Sequence, residues 1–83
     1  MSHKGRTKDE SFMIHLYEEV SHLPDIEDPI DRYLIGIKTG LHKTATDTIC
    51  NLLAQANFIK KHGKIDIAIT SQGIHLVEEL KAE

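Results

Sequence analysis

The sequence predicts a small α+β domain, mainly helical, with one β-hairpin. Three observations point there. Apolar residues recur at helical spacing in four segments, start and stop signals bracket those segments, and the stretch "KIDIAI" alternates with a period of two behind a His-Gly pair. Eighty-three residues suffice for one domain. A chain of this size buries roughly 60% of the surface it exposes when unfolded. With 40% apolar and 28% charged residues the composition is ordinary for a globular protein. No apolar run approaches the roughly 20 residues of a membrane-spanning helix. The N-terminus "MSHKGRTKDE" is basic and then acidic with no apolar stretch behind it, which does not read as a signal peptide. Cys50 stands alone, so an internal disulfide is excluded and a reducing, cytoplasmic setting is expected.

Residues 1–6 are polar and are expected to form a flexible tail, leaving 7–83 as the domain. Thr7 and Glu10 have the spacing of a capping box. Behind them Phe12, Met13, Leu16, Tyr17, Val20 and Leu23 form the stripe of a first helix, which Pro24 is expected to stop. Asp28-Pro29 is the next start signal, an N-cap acid before a proline at the first helical position. It predicts a second helix with Ile30, Tyr33, Leu34 and Ile37 facing the core and Gly40 closing it in the left-handed conformation. Gly36, in mid-helix, suggests the close approach of another helix. A third helix follows within a few residues. Ile49, Leu52, Leu53 and Ala56 are expected inside, Thr44, Asp47, Thr48, Asn51 and Gln55 outside, and Asn57 at the left-handed end.

Phe58–Lys61 and Lys64–Ile69 read as two short strands joined at His62-Gly63 as a two-residue turn. Alternation would put Ile65, Ile67 and Ile69 on one face and Lys64, Asp66 and Ala68 on the other. Thr70 or Ser71 then caps a last helix whose buried side is Ile74, Leu76, Val77 and Leu80.

The order helix, helix, turn, helix, hairpin, helix resembles a winged helix-turn-helix domain of the MarR-like regulators. Gly40-Leu41 stands at the turn, Asn57-Phe58-Ile59 at the exit into the wing, and Ile69-Thr70-Ser71-Gln72-Gly73 at the start of the last helix. The resemblance covers roughly residues 10–82. It implies double-stranded DNA as partner, the third helix in the major groove and the hairpin wing along the phosphate backbone. Carried over by position, it implies DNA contacts from Lys43, Thr44, Ala45, Asp47, Thr48 and Asn51 on the helix. On the wing it implies contacts from Lys60, Lys61, His62 and Lys64.

Charge distribution points the same way. The total is −3, yet from Arg32 to Lys64 six basic residues (Arg32, Lys38, Lys43, Lys60, Lys61, Lys64) face Asp47 alone, six minus one giving +5. A basic pole on an acidic body can hold a phosphate backbone. Two features depart from the resemblance: His42 replaces the small polar cap of the third helix, and no arginine follows Thr44 to read guanine. A protein-protein interaction module on the same fold is therefore the alternative. Six histidines and one cysteine lack the spacing of a zinc site, so no metal or cofactor is expected. No nucleophile, acid pair or phosphate loop has the pattern of an enzyme. The terminal helices carry more apolar residues than one small core would hide, so a homodimer through them is expected.

Overall fold

The computed structural model describes residues 6–82; of the expected tail, residues 1–5 therefore lie outside the described residues. Arg6, the tail's last residue, donates from its guanidinium to the Leu80 carbonyl at 2.9 Å, tying the start of the described chain to the last helix. The elements are α1 (Lys8–Val20), β1 (Ile30–Asp31), α2 (Arg32–Thr39), α3 (Lys43–Gln55), β2 (Ile59–His62), β3 (Asp66–Ile69) and α4 (Ser71–Ala82). This is an α+β fold in winged-helix order, with a three-stranded antiparallel sheet, β1-β3-β2, rather than a lone hairpin.

Helix α1 starts as expected, with both halves of the Thr7/Glu10 capping box formed. It ends at Val20, before Pro24 is reached, and the Ser21 hydroxyl folds back onto the Tyr17 carbonyl at 2.6 Å. Phe12, Met13, Leu16 and Val20 are fully buried, and Leu23 lies beyond the helix.

The second start signal is displaced. Pro29 precedes a two-residue strand, Ile30–Asp31, that pairs with Ile67 and Asp66. The capping acid is Asp31, whose side chain accepts from the Tyr33 amide at 2.8 Å. Moving the helix start from Asp28 to Asp31 rotates its buried face. Arg32, Ile35 and Gly36 are inside, while Leu34 and Ile37 are 40% and 74% exposed.

Gly40 (φ +80°) closes α2 as the sequence predicts, the Leu41 amide reaching the Gly36 carbonyl at 2.8 Å. Gly36 is where α3 crosses closely: an added Cβ would run into the Thr46 hydroxyl and lie 3.0 Å from its methyl.

In α3 the inward stripe is rotated from the expected one. Thr46, Cys50 and Leu53 are buried, Ile49 is half-buried, and Leu52 (55% exposed) and Ala56 face solvent. Asn57 takes the left-handed conformation, φ +67°, as expected.

The hairpin turn spans 63–65, not His62-Gly63 alone, and Gly63 supplies the positive φ of +62°. His62 pairs with Asp66 across the strands, and Ile65 lies in the turn, 44% exposed, rather than on the core face. Ile67, Ala68 and Ile69 are all buried because β3 is the central strand and both its faces are covered. Thr70 caps α4, accepting from the Gly73 amide at 3.0 Å.

The core formed from α1, α2, α3, the sheet and α4 includes Phe12, Met13, Leu16, Ile35, Leu53, Ile67 and Val77. The apolar residues of the terminal helices are thus absorbed within one chain, and Leu80 is only 8% exposed. The exposed large apolar residues sit instead on α2, α3 and the hairpin turn.

Candidate nucleic-acid interface

The wing and α3 lie side by side. From the exposed strand β2, the Lys61 ammonium donates to the Asn51 side-chain oxygen on α3. This bond joins two of the sequence-predicted residues directly. Around it Thr44, Thr48 and Gln55 are exposed or half-buried along the same helix face, and Lys60, His62 and Lys64 are exposed on the wing. Ala45 is half-buried beside them, in a shallow groove of about 470 Å³ lined also by Leu41, His42, Thr48 and Ile49. His42 makes no side-chain cap, so the first amides of α3 have no partner from it.

Two residues counted in the charge balance have other work. Arg32 is 6% exposed. Its Nε donates to the Ile65 carbonyl at 2.8 Å, one terminal nitrogen to the Lys64 carbonyl and the other to Asp47, both at 3.2 Å. A guanidinium suits this because its fixed fork reaches several acceptors at once. The result is a clamp that holds the wing turn against α2 and α3. Arg32 is therefore withdrawn from any ligand, and the sequence shows no signal for this beyond its place beside the cap.

Asp47 completes the clamp. The Tyr33 hydroxyl donates to its carboxylate at 2.6 Å, which holds the acid below its ordinary value of 3.8. The charges of Lys43 and Arg32 add to this, and partial burial opposes it. The same bond, burial and the neighbouring negative charge raise the Tyr33 phenol above its ordinary 10.0. Lys43 lies over the Tyr33 ring, 5.1 Å from its centroid, a cation–π geometry. Thus Asp47 and Lys43 point toward α2, at the margin of the α3 face, while Thr44, Thr48 and Asn51 occupy its middle.

Among the described residues, Lys43, Lys60, Lys61 and Lys64 have no carboxylate partner, whereas Lys38 pairs with Glu19 and Lys81 with Glu18. Of these, Lys61 reaches the α3 face, whereas Lys60 pairs with Ala68 and His62 with Asp66 on the other face of the sheet. Asp31 and Asp66 stand directly opposite each other and Asp66 is opposite His62, so two acids share the sheet face that carries Lys60 and His62.

Cys50 is fully buried in α3, and burial pushes its thiol up to about 11, so it is not a reactive thiolate. Among the described residues no group of three metal-ligating side chains converges. No described helix is long and apolar enough to cross a membrane.

Comparison with known proteins bears on the fold. No family model matches the chain, and no curated protein matches it. Among solved structures, RV1404 from Mycobacterium tuberculosis superposes with a TM-score of 0.61 at 18% identity over 86% of this chain. The chain spans about half the length of that protein, 50%. At that identity the likeness is one of architecture: the helices and sheet described above have a solved counterpart.

Proposed function

We propose that this chain is a DNA-binding transcriptional regulator of MarR-like type. In this reading α3 lies in the major groove and the lysine-edged wing runs along the phosphate backbone. The observation that carries it is the hydrogen bond from Lys61 to Asn51, which makes the wing and the polar α3 face one continuous surface. Lys64 adds an exposed cation at the wing turn, Lys60 lies on the other face of the sheet in a groove lined also by Glu27, and Thr44, Thr48 and Gln55 supply hydrogen-bonding side chains. Phosphate contacts supply affinity, and the helix supplies whatever sequence is read. Two copies of the chain would present two α3 helices to a pseudo-palindromic site.

A second reading has its own observation. Ile37 is 74% exposed and Leu34 40% exposed on the outer side of α2, an apolar pair suited to a protein partner. A salt series separates the two. Binding to mixed-sequence duplex DNA should weaken linearly in log–log form as salt rises. Lys60→Ala and Lys61→Ala should each reduce the slope by about one. Absent or salt-independent binding favours the protein-interaction module.

A further inference from the structure

We propose that the exposed face of α3 selects A·T base pairs in the major groove, with Leu52 as the residue that turns general DNA contact into base preference. The proposal rests on the DNA-binding reading above.

The first support is what the surface lacks. Guanine presents two acceptors in the major groove, O6 and N7, and is read best by the fork of an arginine. The chain has two arginines, Arg6 and Arg32. Arg6 donates to the Leu80 carbonyl, and Arg32 is buried in the wing clamp. Neither guanidinium is free to approach a base. Of the lysines at α3, Lys61 directs its ammonium to Asn51 and Lys43 lies over the Tyr33 ring.

The second support is what the surface offers. Ala45, Thr48 and Leu52 lie on one ridge of α3, related by three and four residues, and each presents a methyl group. Leu52 is 55% exposed and has no place in the core. In the major groove thymine alone carries a methyl, and apolar side chains recognise it. A G·C pair against the same ridge would lose water from its amino and carbonyl groups without gaining a partner, which disfavours it. Beside the ridge Gln55 is exposed, and its amide carries the donor and acceptor that adenine N7 and N6 require.

The third support is separation of duties. The wing lysines contact phosphates whatever the sequence, so base preference and salt dependence are independent quantities. Changing Leu52 should therefore alter one and spare the other.

Fluorescence anisotropy at matched salt tests this with three duplexes of equal length. One is A·T-rich without long A-tracts, one is G·C-rich, and the third replaces every thymine of the first by deoxyuridine. The uracil duplex keeps the hydrogen-bonding pattern and removes only the methyls. The expected result is at least about tenfold tighter binding to the A·T duplex than to the G·C duplex. Most of that preference should be lost in the uracil duplex. Leu52→Ala, a change at a surface position, should lower the A·T preference by about threefold or more, Ala45, Thr48 and Gln55 retaining the remainder, while leaving the salt slope intact. Equal affinity for the thymine and uracil duplexes, or a full preference surviving in Leu52→Ala, overturns the proposal while leaving DNA binding in place. No binding to any duplex at low salt overturns the DNA-binding reading itself, and this inference with it.

Discussion

Replacing Arg32 by Met removes the guanidinium and keeps most of the stem volume. In the native protein two of its bonds reach wing carbonyls, at 2.8 Å to Ile65 and 3.2 Å to Lys64. Hydrogen bonds from a charged donor contribute roughly 1.5–3 kcal/mol each. Both acceptors belong to exposed turn residues and can take up water when released, so the low end applies. Relief of the buried charge offsets part of the loss. The expected destabilisation is about 2–3 kcal/mol, which in a domain of this size lowers Tm by about 10–20 °C. Urea unfolding measures the free energy, and amide exchange across residues 63–66 shows whether the wing turn has come loose. Arg32→Lys should recover less than half of the loss, because an ammonium cannot span both carbonyls and Asp47. A melting temperature for Arg32→Met within about 3 °C of the parent, with unchanged exchange in the turn, would refute the clamp.

The other expectations rest on separate features. Gly36→Ala should destabilise by about 1–2 kcal/mol, the strain of overpacking outweighing the gain in helix propensity. The strain comes from the clash with Thr46. In a Thr46→Ala background, where only the 3.1 Å contact with the remaining Cβ persists, the same change should cost clearly less, so an equal cost in urea melts would sink the close-approach argument. Cys50 should resist a thiol reagent at mildly alkaline pH in the native protein and react at once in denaturant; rapid native labelling would mean the thiol is not buried as described. Asp47 has a depressed pKa when folded, so its stabilising contribution is complete above its unfolded value of 3.8 and is lost as pH falls through the lower folded value. Acid melts should therefore show a steeper loss just below pH 3.8 in the parent than in Asp47→Asn. Asp31→Asn keeps the α2 cap and removes repulsion from Asp66 across the sheet, so a gain of a few tenths of a kcal/mol is expected, read as a rise in Tm.

Local signals were legible where a single residue decides the geometry. Thr7 with Glu10, Gly40, Asn57 and Thr70 all act as their types and positions predict, because caps depend on short-range hydrogen bonds and allowed dihedrals. Rotation of the helices was less legible. Asp28-Pro29 and Asp31 are both good starts, and the choice is made by Ile30 pairing with Ile67, a contact between distant parts of the chain. That choice turns Arg32 inward and Ile37 outward. In α3, Leu52 and Ile49 are as apolar as Leu53, and only the close crossing at Gly36 shows that the Thr46–Cys50–Leu53 side faces α2. At the candidate surface, the exposure of Thr44, Thr48, Asn51 and the wing lysines was readable from alternation and charge. The diversion of Arg32 and Asp47 into a mutual ion pair was not, since nothing in one sequence reports which opposite charges meet.

Strand β2 lies at the outside of the sheet, and its three exposed positions are Lys60, Lys61 and His62. An unpaired outer strand invites the same strand of a neighbouring molecule to add to it, and positive side chains repel that approach. The opposite rim, β1, is two residues long and too short to nucleate such growth. The lysines that would grip a polyanion thus also guard the protein against fibrous self-assembly when no polyanion is present. Neutralising them together would remove that repulsion and leave the β2 rim open to strand addition.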